Sequence, residues 1–205
     1  MHTALPICYI VGAGESSALN FTPRDDDFVI AADGGLKYLI KAGIRIDAAI
    51  GDLDSLKSTN FNNFIKLPKE KDLTDMAAAV NLGIQKGFNI FKIYCGTGGR
   101  FSHTLANVQL LTYLAEIKKT GFIYDKNGYC TVIKNDKINF NKAQKGFISV
   151  FSLSDKSLGV TLKGLKYPLT NFCLVNAQPI GTSNEFIGEE AEIEVKDGTL
   201  LIIRE

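Results

Sequence analysis

The chain has 205 residues, 45% of them hydrophobic and 22% charged, which suffices for one large domain or two small ones with a substantial core. A formal net charge of +1 gives no general attraction to nucleic acid or to an anionic membrane, so any anion site must be local. Because we find neither a signal peptide nor an apolar run of membrane-spanning length, we expect a cytoplasmic protein. The cysteines are spaced far apart in apolar or strand-like contexts, which predicts buried reduced thiols at Cys8, Cys95, Cys130 and Cys173.

The first part of the chain alternates strand-like and helix-like segments. Short apolar runs predict strands at 8–11, 28–32, from Ala48, and at 89–95. Helical patterns bounded by cap residues, glycines or lysines predict helices at 36–42, 72–86 and 103–119. In the third helix one face is expected to carry the apolar side chains Leu105, Val108, Leu111 (or Thr112) and Ala115. Alternating strands and helices predict a parallel sheet covered on both faces.

The second part of the chain contains short strand candidates and no long helical pattern. Turns of the Asn-Gly, Lys-Gly and Asp-Gly type separate segments at 129–134, 147–153, 160–163, 172–175, 191–195 and 200–203. This pattern is typical of a small antiparallel β-sandwich. We therefore predict an α/β parallel-sheet domain over residues 1–126, followed by a smaller antiparallel β-sandwich domain over residues 127–205.

Asp52 and Asp54 follow the apolar run that begins at Ala48, with one residue between them. If the backbone stays extended, both carboxylates face the same way, about 6.6 Å apart. One or two carboxylates can hold Mg²⁺ while substrate phosphates complete its coordination. The alternative interpretation is an ordinary Asp-rich turn after a strand.

Two glycine-containing turns follow the first two predicted strands. The segment 11–15 lacks the third glycine of a dinucleotide loop, so a tight turn whose backbone approaches a ligand is the better interpretation. Asp33, Gly34 and Gly35 come just before a helix, where the backbone can approach an anion. A helix start capped by Asp33 is the structural alternative.

Charged residues crowd the start of the alanine-rich helix. Either Thr74 or Asp75 is suited to cap that helix. A cap explains less well why lysines and aspartates, Lys71 and Asp72 among them, lie together at the same entrance. The mixture suits a metal ion bound to a polyphosphate.

Residues 96–107 carry the strongest signal. A glycine-rich turn after a strand leads through Arg100 into a helix whose start carries His103. Backbone N–H groups, the helix dipole and the guanidinium would converge on one anion, although His103 alone could be an ordinary first-turn residue. Loops at successive strand ends would then line one crevice, where open parallel sheets bind ligands.

Taken together, these segments resemble the ordered motifs of the thiamine pyrophosphokinase family. The motifs are Asp33 to Gly35, Gly51 to Ser55, Lys71 to Asp75 and Gly98 to Asn107, with Lys163 to Leu169 and Thr182 to Glu185 in the second half. The resemblance spans nearly the whole chain, in order.

This resemblance implies that the protein transfers the pyrophosphoryl group of ATP to the hydroxyl of thiamine, giving thiamine diphosphate and AMP, with Mg²⁺. It implies a homodimer in which thiamine lies between the α/β domain of one subunit and the sandwich domain of the other. By motif position, the catalytic and metal carboxylates are Asp52, Asp54 and Asp75, and the phosphate clamp is Arg100. The resemblance places Ser183, Asn184 and Tyr167 against thiamine. The ATP-binding positions are Asp33, Gly34, Gly35, Lys71, Asp72, Thr74, Gly98, Gly99, Ser102, His103 and Asn107.

The chain departs from the family pattern at Ser102, where the family usually has Asp, and it contains no tryptophan. An aromatic ring that stacks on thiamine would therefore be Tyr167, Phe172 or Phe186. Two alternatives follow from these departures. One is a catalytically weak thiamine or nucleotide binder that serves as a sensor or carrier, and the other is a pyrophosphokinase for a related heterocyclic alcohol.

Overall fold

The computed structural model describes residues 4–15, 19–51, 64–66 and 73–205. The chain divides into two units, one comprising the residues up to Leu114 with Lys118–Lys126, the other comprising Ala115–Ile117 with Asn127–Glu205. In the part of the chain that is described, no helix is both long enough and apolar enough to cross a membrane.

In the described part of the first unit, the chain forms parallel strands and three helices. The strands are β1 (Ile7–Val11), β2 (Phe28–Ala32), β3 (Ala48–Gly51), β4 (Phe64–Lys66), β5 (Ile90–Tyr94) and β6 (Thr120–Tyr124). The helices are α1 (Gly35–Ala42), α2 (Asp75–Gln85) and α3 (Phe101–Glu116). The strand order is β6-β5-β1-β2-β3-β4, and each of these pairs is parallel.

The central strand β1 marks the point where the strand order reverses. From β1 the chain proceeds to β2, β3 and β4 on one side, and it returns to place β5 and β6 on the other side. Val11 lies opposite Ala31 of β2 and Tyr94 of β5, so the three strands end at the same level. The connections from β1 to β2 and from β5 to β6 therefore run to opposite sides of this point, which is where open parallel sheets form a ligand crevice.

Helices pack on both faces of this sheet. Leu36 and Leu39 of α1 share a core cluster with Tyr9 of β1. Gly83 of α2 packs on the opposite face, because a Cβ there would lie 2.8 Å from the sulfur of Cys8. The predicted parallel sheet with two covered faces is confirmed.

The helix ends differ from their predicted positions for local reasons. Helix α2 begins at Asp75, since Thr74 is its N-cap and accepts a hydrogen bond of 3.1 Å from the Ala77 N–H. Helix α3 begins two residues earlier than predicted and ends three residues earlier, at Glu116. The lysine expected in its last turn, Lys118, lies beyond the helix with a positive φ of 61°.

The expected apolar face of α3 is wrong at its first position. Leu105 is 52% exposed, whereas Leu111 and Leu114 are buried. Gly121 of β6 leaves room for both leucines, since a Cβ there would lie 2.7 Å from each of them. The buried face is therefore set by β6, which the sequence pattern did not reveal.

The second unit consists of antiparallel strands. These are β7 (Tyr129–Lys134), β8 (Lys137–Phe140), β9 (Phe147–Ser152), β10 (Lys156–Lys163), β11 (Leu169–Val175), β12 (Asn184–Glu185), β13 (Ala191–Glu194) and β14 (Thr199–Arg204). The order is β12-β9-β14-β7 in one layer and β11-β10-β13-β8 in the other. One core cluster, which includes Ile148 of the first layer and Leu162 and Ile193 of the second, joins the layers. The predicted antiparallel β domain is confirmed, with β8 and β12 as additional strands.

The four cysteines form no disulfide, and the expectation that they are buried holds for two of them. Cys8 and Cys95 are buried, Cys130 is half-buried and Cys173 is exposed. Cys173 lies on β11, on the outward side of the strand. Burial, with a smaller contribution from Asp47, raises the pKa of the Cys8 thiol to about 12, so this group stays a protonated core side chain.

Candidate active site

A cleft of about 300 Å³ opens at the carboxyl edge of the parallel sheet, where the strand order reverses. The loops after β1, β2 and β5 and the first turns of α2 and α3 surround it. Its lining consists of Gly12, Ala13, Gly14, Ala32, Asp33, Thr74, Asp75, Met76, Cys95, Gly96, Gly98, Gly99, Arg100, His103, Ala106 and Asn107. The crevice predicted from successive strand ends is therefore present in the first unit.

Two loops form the floor of the cleft by continuing the pairing of β1 with β5. The N–H of Gly12 donates to the Tyr94 carbonyl, and the N–H of Gly14 donates to the Cys95 carbonyl, both at 2.8 Å. A Cβ at Gly14 would lie 2.3 Å from the Thr97 carbonyl oxygen, so only glycine fits there. The tight turn inferred for 11–15 is thus a close contact between loops.

The glycine-rich turn before α3 brings backbone and guanidinium to the same wall. Gly98 and Gly99 have positive φ values of 78° and 63°, a backbone conformation that residues with a side chain rarely adopt. The carbonyl of Arg100 accepts from the His103 N–H at 3.0 Å, so α3 starts directly after the turn. Arg100 and His103 are exposed and line the cleft, as predicted. Two positive features, a guanidinium and a helix N-terminus, therefore face the same space.

Helix α2 contributes a second N-terminus to the cleft. Thr74 caps it, and the half-buried carboxylate of Asp75 occupies the first helical position. Both residues line the cleft. Of the two predicted helix caps, Thr74 is therefore the one that caps α2, and Asp75 lies beside it on the same wall of the cleft.

Asn107 supports the glycine-rich turn of the cleft through a buried hydrogen bond. It is buried, and its Nδ2 donates a hydrogen bond of 2.6 Å to the Gly96 carbonyl. Gly96 begins the glycine-rich turn, so this bond ties the turn to the second turn of α3. The sequence suggested a ligand contact for Asn107, and the structure shows an amide that holds the loop.

The segment after β2 divides into a cleft residue and two packing residues. Asp33 is exposed, lines the cleft and has a positive φ of 52°. Asp33 is not the helix cap, because the N-cap position of α1 is occupied by Gly34, and no side chain caps this helix. A Cβ at Gly35 would lie 1.9 Å from the Val11 carbonyl oxygen, so Gly35 lets α1 approach β1 rather than line the cleft.

Four of the predicted site residues lie outside the described part of the chain, namely Asp52, Asp54, Lys71 and Asp72. Ser102, at the departure from the family pattern, is exposed and lies outside the cleft lining. Met76, Cys95 and Ala106 line the cleft without having been singled out from the sequence. They are apolar wall positions, and their residue types carry no signal of such a role.

The donor set of the cleft suits Mg²⁺ bound together with a polyphosphate. Asp33 and Asp75 supply carboxylate oxygens, the ligands that Mg²⁺ prefers, from two different loops. Within residues 4–15, 19–51, 64–66 and 73–205, no group of three or more His, Cys, Asp or Glu is arranged to hold a metal ion. Mg²⁺ usually takes one or two protein carboxylates and completes its shell with phosphates and water.

The predicted thiamine contacts belong to the second unit. Tyr167 is exposed, and Ser183 is exposed with a positive φ of 57°. The N–H of Ser183 donates to the Ser149 hydroxyl at 3.0 Å, which fixes the turn before β12. Asn184, the third predicted thiamine contact, is buried, whereas Tyr167 and Ser183 are exposed.

The structure thus combines a parallel-sheet unit, whose cleft is lined by two helix N-termini and an arginine, with an antiparallel β unit. The catalytic-domain model of thiamin pyrophosphokinase matches residues 22–122, and the vitamin B1 binding-domain model matches residues 135–200. A thiamine pyrophosphokinase of Bacillus subtilis (strain 168) is 30% identical over 183 residues, which cover 85% of this chain and 86% of the relative. The chain belongs to the thiamine pyrophosphokinase family, and its enzyme activity is thiamine diphosphokinase.

Solved structures agree with this assignment. The crystal structure of the Bacillus subtilis thiamine pyrophosphokinase superposes with a TM-score of 0.85 at 27% identity, covering 97% of this chain and 98% of the other. The thiamin pyrophosphokinase of Geobacillus thermodenitrificans gives a TM-score of 0.85 at 30% identity, covering 97% and 96%. The similarity therefore extends over both units.

Proposed function

We propose that the cleft binds MgATP and that the chain transfers its pyrophosphoryl group to the hydroxyethyl oxygen of thiamine. In this reaction the thiamine oxygen forms a bond to the β-phosphorus, and the bond from that phosphorus to the bridging oxygen of AMP breaks. The thiamine hydroxyl loses its proton, and AMP leaves with the bridging oxygen. The observation that carries the proposal is the convergence of Arg100 and two helix N-termini on one cleft at the sheet's reversal point.

The protein's part in such a transfer is positioning and charge stabilisation, because phosphoryl transfer needs little covalent assistance. Arg100 would hold phosphate oxygens through parallel N–H bonds, and the first turns of α2 and α3 would add backbone donors. Gly98 and Gly99 let the backbone approach the phosphates without a side chain in the way. His103 lines the same wall and would orient the transferred group.

Carboxylates at the cleft would hold Mg²⁺ against the phosphates. By motif position these are Asp52, Asp54 and Asp75, and Asp33 lines the cleft beside Asp75. When bound, Mg²⁺ offsets the negative charge that develops on the transferred phosphates. Asp52 is also the residue that we propose as the acceptor of the hydroxyl proton.

For thiamine we propose contacts with Ser183 and with the ring of Tyr167, in a homodimer whose thiamine site is shared between subunits. The family resemblance supports the shared site, and sedimentation that showed only monomer at working concentration would overturn it. The exposure of Tyr167 supports its use as a stacking surface. We propose a cytoplasmic location, where thiols such as the buried Cys8 and the exposed Cys173 stay reduced.

The experiment that tests the proposed function measures AMP and thiamine diphosphate formed from ATP and thiamine, with and without magnesium. We expect equal amounts of both products, formed only with magnesium. Thiamine binding without AMP would instead establish the sensor or carrier alternative. Turnover of a related alcohol in preference to thiamine would establish the substrate variant.

The metal role of the aspartates is tested by the substitution Asp54→Ala. We expect turnover to be abolished, because Asp54 would supply one of the carboxylates that hold Mg²⁺ against the phosphates. The measurement is AMP release across a magnesium titration. Retained activity with the magnesium dependence of the parent chain would remove Asp54 from this role.

A further inference from the structure

Two short segments of the second unit run antiparallel and end at Tyr167. Leu165 forms a β-bridge with Phe186, and the N–H of Lys166 donates to the Glu185 carbonyl at 3.0 Å. The Lys166 ammonium lies 2.7 Å from a carboxylate oxygen of Glu185. Leu165 is buried in the core cluster, so this pairing is anchored at its inner end. Beyond it the chain reaches the surface at Tyr167, which is 59% exposed.

A single side chain fixes the backbone of Tyr167 at this surface. Asn184 is only 4% exposed. Its Oδ1 accepts from the Tyr167 N–H at 2.9 Å, and its Nδ2 donates to the Tyr167 carbonyl at 2.7 Å. The same Oδ1 also accepts from the Glu185 N–H at 2.9 Å. One amide therefore satisfies both backbone polar groups of Tyr167, as a neighbouring strand residue would.

Only an amide can make this set of bonds. It offers an acceptor and a donor about 2 Å apart on one planar group, which matches the N–H and carbonyl of a single residue. A carboxylate of the same shape keeps the acceptors, but it sets an oxygen against the Tyr167 carbonyl. Because the amide is buried and occupied by backbone, its function is mechanical rather than direct ligand contact.

The ring that this clamp presents is the best placed of the three aromatic candidates. Phe186 packs edge-on against Phe140, with ring centres 5.3 Å apart, and belongs to the core. Phe172 lies on β11 and is less exposed than Tyr167. The Lys166 ammonium lies over the Tyr167 ring, 5.5 Å from its centre, and this cation–π contact stabilises the position of the ring.

We propose that Asn184 is a positioning residue that holds Tyr167 in place as the stacking surface for the thiamine ring system. This inference rests on the proposed function, since it names how one part of the thiamine site is built. It assigns Asn184 to the orientation of Tyr167, whereas the motif resemblance assigned it to thiamine itself.

The first arm of the test needs no substrate. The chain has no tryptophan, so the substitution Y167W introduces the only indole of the protein. We expect N184D in this background to lower the steady-state fluorescence anisotropy of the indole, because the backbone beneath it is released. The matched control is N176D, which also removes an amide donor to a backbone carbonyl, that of Ser152, in the same unit. Equal anisotropy for N184D and the Y167W parent would overturn the proposal.

The second arm separates positioning from general damage. We expect N184D to raise the KM for thiamine about tenfold while leaving the KM for ATP unchanged. We also expect it to have little further effect in a chain that already carries Y167A, because the two residues act through one ring. A full tenfold effect of N184D in the Y167A background would contradict positioning and establish a direct contact.

Two further measurements keep the arms interpretable. Should N184D fail to fold, as judged by circular dichroism, N184S takes its place, because it removes the amide that makes both bonds to Tyr167 without introducing a charge. Absence of thiamine turnover in the parent chain would refute the proposed function, and the anisotropy arm would still decide whether Asn184 positions residue 167. Equal rises of both KM values in N184D and N176D would overturn the proposal, since any loosened strand would then suffice.

Discussion

Both edges of the parallel sheet carry an aspartate and an arginine, but these residues have different functions at the two edges. At the edge where the strands begin, Asp27 and Arg24 form an ion pair with atoms 2.9 Å apart. At the edge where they finish, Asp75 and Arg100 line the cleft. Composition alone does not distinguish these pairs, although one of them stabilises the fold and the other faces the proposed substrate.

The difference lies in what surrounds each carboxylate. Asp27 is 4% exposed and accepts hydrogen bonds of 2.8 Å from the backbone N–H groups of Ile7 and Arg24. Arg24 in turn donates to the carbonyls of Ala4 and Leu5. This acid joins the segments that precede β1 and β2. At the other edge the cleft gathers helix starts and glycine turns, the backbone features that favour a bound anion.

The strongest test of the contrast is the substitution Arg100→Ala. We expect kcat/KM to fall about 10²- to 10³-fold, as for the loss of one preorganised donor to a developing charge. The melting temperature should stay within a degree or two, since Arg100 is exposed. Initial rates of AMP formation and a thermal melt are the measurements.

Lys41→Ala is the matched control for Arg100, because Lys41 is an exposed cation in the last turn of α1. We expect parental kinetics from it. A similar loss of activity in both variants would reduce the effect to net charge and remove Arg100 from the site.

A second variant, Gly14→Ala, adds one methyl group to the floor of the cleft. The new carbon would meet the Thr97 carbonyl at 2.3 Å, so the loops after β1 and β5 must separate. We expect kcat/KM for ATP to fall up to about 10²-fold, the scale of a 1 Å misplacement at a reacting centre. Gly87→Ala is the control, because Gly87 has open space around it, so that alanine there meets only the backbone strain of a positive φ of 87°. If the two variants lose equal activity, the close contact of the loops is irrelevant.

Asn107→Ala tests the support beneath the cleft. Removing the amide leaves the buried Gly96 carbonyl without its 2.6 Å donor, which should lower the free energy of unfolding by about 1–3 kcal/mol. The KM for ATP should rise as the turn loosens. Urea denaturation and ATP kinetics measure the two effects, with Gln109→Ala, an exposed position of the same helix, as control. Unchanged stability would show that the hydrogen bond does not form.

The smallest expected effect is a pH dependence at the opposite edge. Burial raises the pKa of Asp27, but hydrogen bonds from Arg24 and from the backbone of Arg24 and Ile7 outweigh it, so the pKa lies below its ordinary value of 3.8. A lowered pKa contributes stability that is present above the ordinary value and is lost as pH falls through the folded-state value.

The corresponding substitution is Asp27→Asn. At pH 7 we expect it to destabilise the chain by about 1–2 kcal/mol through lost hydrogen bonds to charged and backbone donors. The difference from the parent should narrow as pH falls below about 3.8. Urea midpoints between pH 7 and pH 3 measure it, with the exposed Asp26→Asn as control. A difference that does not change with pH would contradict the ion pair.

Much of this arrangement could be predicted from the sequence because it depends on local signals. The short apolar runs and cap residues predicted the parallel sheet, and Thr74 was one of two predicted helix caps. Glycines with Arg100 indicated the cleft wall, since a glycine-rich turn before a helix and a guanidinium both favour an anion. Asp52 and Asp54 remain predictions, as they lie outside the described residues.

The rest depends on tertiary contacts that no local pattern encodes. Leu105 has the spacing of a core residue and is exposed, because Gly121 on β6 sets the buried face. Asn107 and Asn184 have the residue type of ligand contacts, but their amides bond to backbone. An amide suits either partner, so only the fold decides.

The most direct test of the central claim, that ATP binds at the edge where the parallel strands end, is an amide chemical-shift titration. MgATP is added to the isotope-labelled chain in the absence of thiamine. The account predicts shifts at the N–H groups of Gly98, Gly99 and Phe101 and none at Arg24, Asp27 and Val29. Shifts at the second group, or a saturable response that leaves the first group unchanged, would contradict it.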